Sequence, residues 1–334
     1  MNFNTYITTG FCMILFALSF TSCKSDANKI EDKTNETQTM KTNTKTPNYK
    51  LSLAQWSLHK GIFNGTIDPM NFAVDAKNLG YTGLEYVSQL YINENVNYPY
   101  KDKGIDAILK ELKRRSDSLG MENLIIMVDG EGDLSFNDEA LTNEAIENHK
   151  KWIDAAAYLG CHSIRVNLFG EEDRALWVKN SVRSLKALIA YSEPKGVSIL
   201  VENHGGLSSD GKLLVEVMQK VNSDFCGTLP DFGNFCLKRK DGERWAAACI
   251  EEYDMYKGID ELMPYAKGVS AKSYDFNDNG EETKINYAKM IDIVKSHGFS
   301  GYIGVEYEGE DPINGINATK ALVEKLINKA DSNE

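Results

Sequence analysis

Val197-Ser198-Ile199-Leu200-Val201-Glu202-Asn203-His204-Gly205-Gly206 decides the fold. Four of its first five residues are apolar, and the run is bounded by Gly196 on one side and Gly205-Gly206 on the other. That is too short for a buried helix and reads as a buried strand. The strand stops on an acid, Glu202. The same design recurs three times: Phe225-Cys226-Gly227-Thr228-Leu229-Pro230 ends on Asp231, Gly268-Val269-Ser270-Ala271 on Lys272, and Tyr302-Ile303-Gly304-Val305 on Glu306. Charges at such positions are costly to bury unless they pair or bind a cation. Short strands that repeatedly end on a charge are the pattern of a (β/α)₈ barrel, whose strand C-termini converge on one active site.

The rest of the chain extends the pattern. Strands are expected at 51–56, 83–87, 123–128, 163–168, 197–202, 225–231, 268–272 and 302–306. Helices are expected at 68–79, 104–119, 140–159, 174–193, 209–222, 244–263, 285–297 and 313–329, with Asp68-Pro69 opening the first and Gly80, Gly120, Gly160, Gly196 and Gly298 following five of them. Eight strands, each followed by a helix, predict a single α/β domain, a (β/α)₈ TIM barrel, over residues 50–331. An open doubly wound sheet is the rival, but no GxGxxG or P-loop follows the first strand.

The N-terminus reads differently. Residues 10–20 are apolar apart from Ser19 and lead into Thr21-Ser22-Cys23, a run too short to span a bilayer. Residues 1–22 are expected to be a lipoprotein signal peptide with Cys23 as the lipidated residue; an ordinary cleaved signal is the alternative. Residues 23–49, rich in Lys, Asn, Thr, Asp and Glu, form an expected disordered tether. The protein is therefore expected to be exported and lipid-anchored in the cell envelope, in the periplasm or at the outer membrane. The net charge of −12 offers no basic surface for phosphates and argues against nucleic acid as a partner. None of the six cysteines forms a CxxC pair; an oxidising compartment permits one disulfide, which the spacing does not assign.

Strand parity sharpens the site, because alternate side chains of a barrel strand point inward. Ser198, Leu200 and Glu202 share one face, as do Gly268, Ser270 and Lys272, then Tyr302, Gly304 and Glu306. Ser163, Arg165 and Asn167 share a face, and so do Gly83 and Glu85. The small residues Gly268 and Gly304 leave room at the axis. Glu202, Asp231 and Glu306 thus meet at the barrel mouth, where three ionised carboxylates need a cation. All-oxygen ligation favours Mg²⁺ or Mn²⁺. Lys272 supplying the charge, or one acid lying in a surface salt bridge, is the alternative. His204 is a ligand, a proton shuttle or a substrate-facing loop residue. Gln55, Trp56 and His59, after the first strand, offer an amide, a stacking face and an imidazole to a sugar; simple packing of Trp56 is the alternative.

Four segments together resemble the xylose-isomerase-like TIM-barrel superfamily of sugar isomerases and epimerases, which also contains the endonuclease IV group. They are 199–206, Cys226-Gly227-Thr228-Leu229-Pro230-Asp231-Phe232-Gly233-Asn234, 268–272, and Gly301-Tyr302-Ile303-Gly304-Val305-Glu306-Tyr307-Glu308-Gly309. The resemblance covers roughly residues 50–330. It implies a divalent ion held by Glu, Asp, His and Glu, with the two Glu residues acting as acid and base on a sugar carbon. Glu202, Asp231 and Glu306 match. Ser270 stands where the His is expected, and Asn234 where a second His often lies. These departures speak against endonuclease-type DNA repair, which needs a histidine-rich zinc site. The expected activity is that of a metal-dependent sugar isomerase or epimerase acting by proton abstraction next to a carbonyl, with Glu202, Glu306 and Lys272 catalytic. Gln55, Trp56, His59, Glu85, Arg165, Asn167, His204, Asn234 and Ser270 are the expected substrate contacts. A keto-glycoside lyase of the same fold is a close variant. A retaining glycosidase with carboxylates about 5 Å apart and a non-catalytic sugar-binding lipoprotein are the other readings.

Overall fold

The computed structural model describes residues 48–329. The expected signal peptide, Cys23 and the tether up to residue 47 lie outside them. The strands are β1 (Tyr49–Ala54), β2 (Gly83–Val87), β3 (Glu122–Met127), β4 (Ser163–Val166), β5 (Ser198–Glu202), β6 (Cys226–Leu229), β7 (Cys236–Arg239), β8 (Cys249–Glu252), β9 (Val269–Ser273) and β10 (Gly301–Tyr307). Eight of them form one parallel sheet in the order β6-β5-β4-β3-β2-β1-β10-β9. Two parallel bridges, Thr228 to Ala266 and Asp231 to Ser270, bring its two ends together. The result is a nearly closed TIM barrel. Tyr49, the last residue expected in the tether, belongs to β1.

Among the described residues ten helices surround or cap the strands: α1 (His59–Phe63), α2 (Phe72–Asn78), α3 (Gln89–Ile92), α4 (Ile105–Leu119), α5 (Glu139–Leu159), α6 (Arg174–Ser192), α7 (Gly211–Val221), α8 (Met255–Leu262), α9 (Tyr287–Ser296) and α10 (Pro312–Ile327). Side-chain caps set where many begin. Asp138, Asp173, Asp210, Asn286 and Asp311 accept backbone N–H groups at the starts of α5, α6, α7, α9 and α10, each worth about 1 kcal/mol. Part of the acidic composition is therefore capping. Ile199, Val201, Ile303 and Val305 are fully buried on the strand faces that parity assigns to the helices.

Two expectations are corrected. The first strand ends at Ala54, and residues 55–58 make a 3₁₀ turn. The helix expected at 244–263 is only Met255–Leu262; before it, β7 and β8 form an antiparallel hairpin. A Cys236–Cys249 disulfide staples that hairpin, and the strand pairing it enforces overrides the helical pattern. Cys161 and Cys226 are free.

Candidate active site

The C-terminal ends of β5, β9 and β10, with the residues just after β6, bring the expected acids together. Glu306 pairs in register with Lys272, and Asp231 bridges Ser270 across the barrel closure. One oxygen from each of Glu202, Asp231 and Glu306 lies within 4.8 Å of the others. All three side chains are buried.

Two buried cations lie among them. Lys272, 1% exposed, places Nζ 3.0 Å from Glu306, 3.4 Å from Glu308 and 3.9 Å from Asp231. Arg165, 4% exposed, sets Nε 2.8 Å from Glu202 Oε2 and Nη1 2.8 Å from Asp129. The Arg165–Glu202 contact is a close ion pair without a well-directed hydrogen bond, since neither atom has a hydrogen-bond partner. Ser270 Oγ lies 2.8 Å from Asp231 and 3.3 Å from Glu306. Asn234 donates to Glu202 Oε1 at 2.9 Å.

Burial dominates the protonation states. It pushes Glu202 up to about 7 against the pull of Arg165, and it holds Asp231 well above the usual carboxylate range despite Lys272. Burial works to lower the Lys272 ammonium, but Asp231, Glu306 and Glu308 outweigh it and the net direction is upward. Beneath the triad, Glu85 accepts a 2.5 Å hydrogen bond from Ser52 and is raised by burial to about 7. Gly304 makes this possible: a Cβ there would stand 2.5 Å from Glu85 Oε1. The room expected at the axis is filled by this carboxyl.

A cavity of about 910 Å³ opens above the triad. Glu306, Lys272, Arg165, Asn167, His204, Asn234 and Trp56 line it; Glu202, Asp231, Ser270 and Glu85 lie behind its wall. His204 Nδ1 meets Asn167 Oδ1 at 2.7 Å, and Asn167 donates to Asp129. Burial, aided by Arg165, pulls His204 down to about 3, so the ring is neutral. Trp56 donates to Glu308 at 2.7 Å.

Gln55 and His59 stand apart. Gln55 is fully buried, donating to Tyr91 and accepting from the Val87 N–H, so its amide ties the 3₁₀ turn to β2. The His59 ring stacks on Trp56 at 4.2 Å and is outside the cavity wall; burial lowers its pKa. Asp129, Glu308, Phe169, Arg244 and Trp245 also belong to the site and were not anticipated. Asp129 follows β3 as Asp231 follows β6, and Glu308 is two residues beyond Glu306, so strand-end and parity arguments point to both.

The donor set fits a divalent ion. Its three carboxylates converge, Glu202 Oε2 is buried without a hydrogen bond, and hard oxygen donors suit such cations.

Known structures share this fold. An L-ribulose 3-epimerase superposes with a TM-score of 0.62 at 13% identity, covering 84% of this chain and 94% of that one. The IolI protein with a bound zinc atom gives 0.61 at 16%, covering 85% and 99%. The 3-keto-D-glucoside 4-epimerase of E. coli gives 0.59 at 13%, covering 77% and 94%. No curated protein matches the sequence. A family model described as "Xylose isomerase-like TIM barrel" matches residues 74–329, a span that runs from α2 past the end of α10 and includes all three acids. The chain belongs to the xylose isomerase-like TIM barrel family.

Proposed function

We propose that the protein is a metal-dependent sugar isomerase or epimerase that removes a proton next to a carbonyl of a sugar or keto-sugar. The observation that carries this reading is the convergence of Glu202, Asp231 and Glu306, with Glu202 raised to about 7, beneath a cavity of about 910 Å³. A general base works best when its pKa lies near the operating pH.

Glu202, Asp231 and Glu306 are the residues that would hold Mn²⁺ or Mg²⁺, which when bound supplies Lewis-acid polarisation of a substrate oxygen. Glu306 faces the cavity and is steadied by Lys272 and Ser270. Glu202 lies behind Asn234, which holds one of its oxygens. Glu306, on the cavity wall, is placed to take the carbon-bound proton; Glu202, protonated, would return one to a substrate that displaces Asn234. Return to the opposite face of the same carbon gives an epimer; delivery to the neighbouring carbon gives an isomer. Lys272 is the fixed positive charge that holds the Glu306 carboxylate in place, 3.0 Å away. The similar fold of a 3-keto-D-glucoside 4-epimerase favours keto-sugars as a substrate class. Loss of a group β to the same carbonyl would give the lyase variant after an identical first step. The disulfide supports an exported location, since such bonds persist in oxidising compartments.

The test is deuterium uptake from D₂O into D-fructose and 3-keto-glucose, with Mn²⁺ and after EDTA. Exchange that needs Mn²⁺ and is lost in Glu202→Gln and Glu306→Gln is expected. Exchange unaffected by both substitutions would overturn the carboxylate pair, and metal-independent hydrolysis of a glucoside would move the reading to a retaining glycosidase.

A further inference from the structure

The hairpin that follows β6 carries a second binding feature. It is fixed at its base by the Cys236–Cys249 disulfide and by a Tyr253 to Phe235 backbone bond. At its outer end Lys240 donates to Ala248, and Arg239 donates to Ala247. Its tip turns back over the barrel mouth. Arg244 makes two hydrogen bonds to Asp133, at 2.7 and 3.1 Å, and its guanidinium lies 4.5 Å from the Phe169 ring centroid. Trp245 meets Phe169 edge-on at 5.3 Å and the His204 ring at 4.8 Å.

Those contacts hold one side of the indole. Trp245 is nonetheless 51% exposed, and it lines the cavity. A large apolar ring fastened from behind and left open into a cavity is a binding surface awaiting a flat apolar face. Its surroundings are polar: Asp133, Arg239 and Arg244 share the wall with it. An aromatic ligand would make no use of the hydrogen-bonding capacity those groups have left beyond the Arg244–Asp133 and Arg239–Ala247 bonds. A pyranose ring offers C–H bonds on its face and hydroxyls around its edge, and so satisfies both.

Size points the same way. The cavity holds about 910 Å³, near the upper end of the ~300–1,000 Å³ range of small-molecule sites, and a single hexose belongs near the lower end. The ring neighbours of Trp245 are Phe169 and His204, not any of the three acids, so a ring stacked on its open face and a ring over Glu306 occupy different parts of the cavity wall.

We infer that the substrate is a glycoside of at least two sugar rings, with the reacting ring over Glu306 and a second pyranose stacked on Trp245 and hydrogen-bonded at the Asp133–Arg244 rim. This inference deepens the sugar-acting reading of the same cavity and rests on it.

The test is titration calorimetry of the intact, disulfide-bonded protein with methyl β-glucopyranoside, cellobiose and phenyl β-glucopyranoside. Trp245→Ala and Trp245→Phe are run beside the native protein, with melting curves to confirm folding. The expected result is cellobiose binding at least tenfold tighter than methyl glucoside, with that advantage lost in Trp245→Ala and largely kept in Trp245→Phe. Equal binding of one and two rings, no binding of any probe, or a Trp245→Ala variant that keeps the cellobiose advantage would overturn the inference. Phenyl glucoside binding more tightly than cellobiose would replace the second sugar with an aromatic aglycone. Deuterium exchange reports on the reaction separately: cellobiose binding through Trp245 without exchange into any keto-sugar would sink the isomerase reading and leave the second-ring site standing.

Discussion

Replacing Lys272 with Met removes the charge around which the acids are arranged while keeping most of the side-chain volume. At an effective dielectric near 20, an ion pair at the 3.0 Å Lys272–Glu306 distance is worth about 5 kcal/mol, and one at the 3.9 Å Asp231 distance about 4 kcal/mol. Asp231 counts for less than its full share because burial keeps its carboxyl protonated well above the usual range. Glu308 is partly open to solvent and is left out. The native lysine has already lost several kcal/mol to desolvation, so breaking the pair costs about 3–5 kcal/mol net. For a domain of this size that lowers the melting temperature by roughly 6–20 °C. The loss is charge-specific. Glu202 has a folded pKa raised by burial to about 7, so its protonated form survives at pH 6 and repels less, while at pH 8 it is ionised and unbalanced; burial raises Asp231 as well. The assay is thermal melting of Lys272→Met at pH 6 and pH 8, with and without Mn²⁺. The drop should be larger at pH 8, and saturating Mn²⁺ should recover about 2.7 kcal/mol at a hundredfold excess over Kd. A melting temperature within about 2 °C of wild type at both pH values would refute this reasoning. A large but pH-independent loss would assign the effect to packing.

Other perturbations have defined outcomes. Glu202 is an acid whose folded pKa lies above its unfolded one, so its contribution is present at low pH and is lost as pH rises from about 4.5 to about 7; Glu202→Gln should flatten the urea stability profile across that window and reduce turnover by about 10²–10⁴-fold. Gly304→Ala puts a methyl 2.5–2.6 Å from both Glu85 carboxylate oxygens and should cost about 1–3 kcal/mol in urea unfolding; an unchanged midpoint would show that Glu85 moves freely. Serine at both Cys236 and Cys249 removes a link across 13 residues, worth up to about 3 kcal/mol of loop entropy. Amide exchange within 236–252 should accelerate while barrel amides keep their protection; equal acceleration throughout would make the hairpin part of the global folding unit.

The barrel was legible because most of its strands are short apolar runs ending at a polar or glycine boundary; parity then placed Glu202, Glu306, Lys272 and Arg165 on the inward face, and the strand-end position placed Asp231 beside them. What parity could not supply was depth. Gln55 falls where the strand gives way to a 3₁₀ turn, and its amide is consumed by Val87 and Tyr91; nothing in the local sequence announces those partners, both more than thirty residues away. Glu85 points inward as expected, but whether an inward acid reaches the cavity or plugs the axis depends on Gly304 opposite. The hairpin was misread because 244–263 has helix-compatible spacing and the strand pairing depends on a covalent bond that spacing alone does not assign. One local signal was there: Lys240-Asp241-Gly242, with Asp241 and Gly242 both at positive φ, is a turn sequence just before the expected helix and fits a chain reversal there.

The charge balance of the site leads to a last prediction. Glu202, Asp231, Glu306 and Asp129 are four carboxylates against two cations, Arg165 and Lys272. Glu85 below and Glu308 at the rim add to the negative side. The first four acids against the two cations leave an excess of two negative charges, which one divalent cation or two protons would cancel. The raised pKa values of Glu202 and Asp231 show where protons settle when they do the cancelling. A cation and those protons compete for the same oxygens, so binding Mn²⁺ must release protons, and its affinity must rise with pH across the range where Glu202 titrates, around pH 7. Titration calorimetry of Mn²⁺ binding in buffers of different ionisation enthalpy measures the release directly, with one to two protons expected near pH 6.5. Glu202→Gln should remove about one of them, since its amide has no proton to give up. Mn²⁺ binding with no proton release and a constant Kd from pH 6 to 8 would mean that the ion lies elsewhere, and that Lys272 and Arg165 alone neutralise these acids.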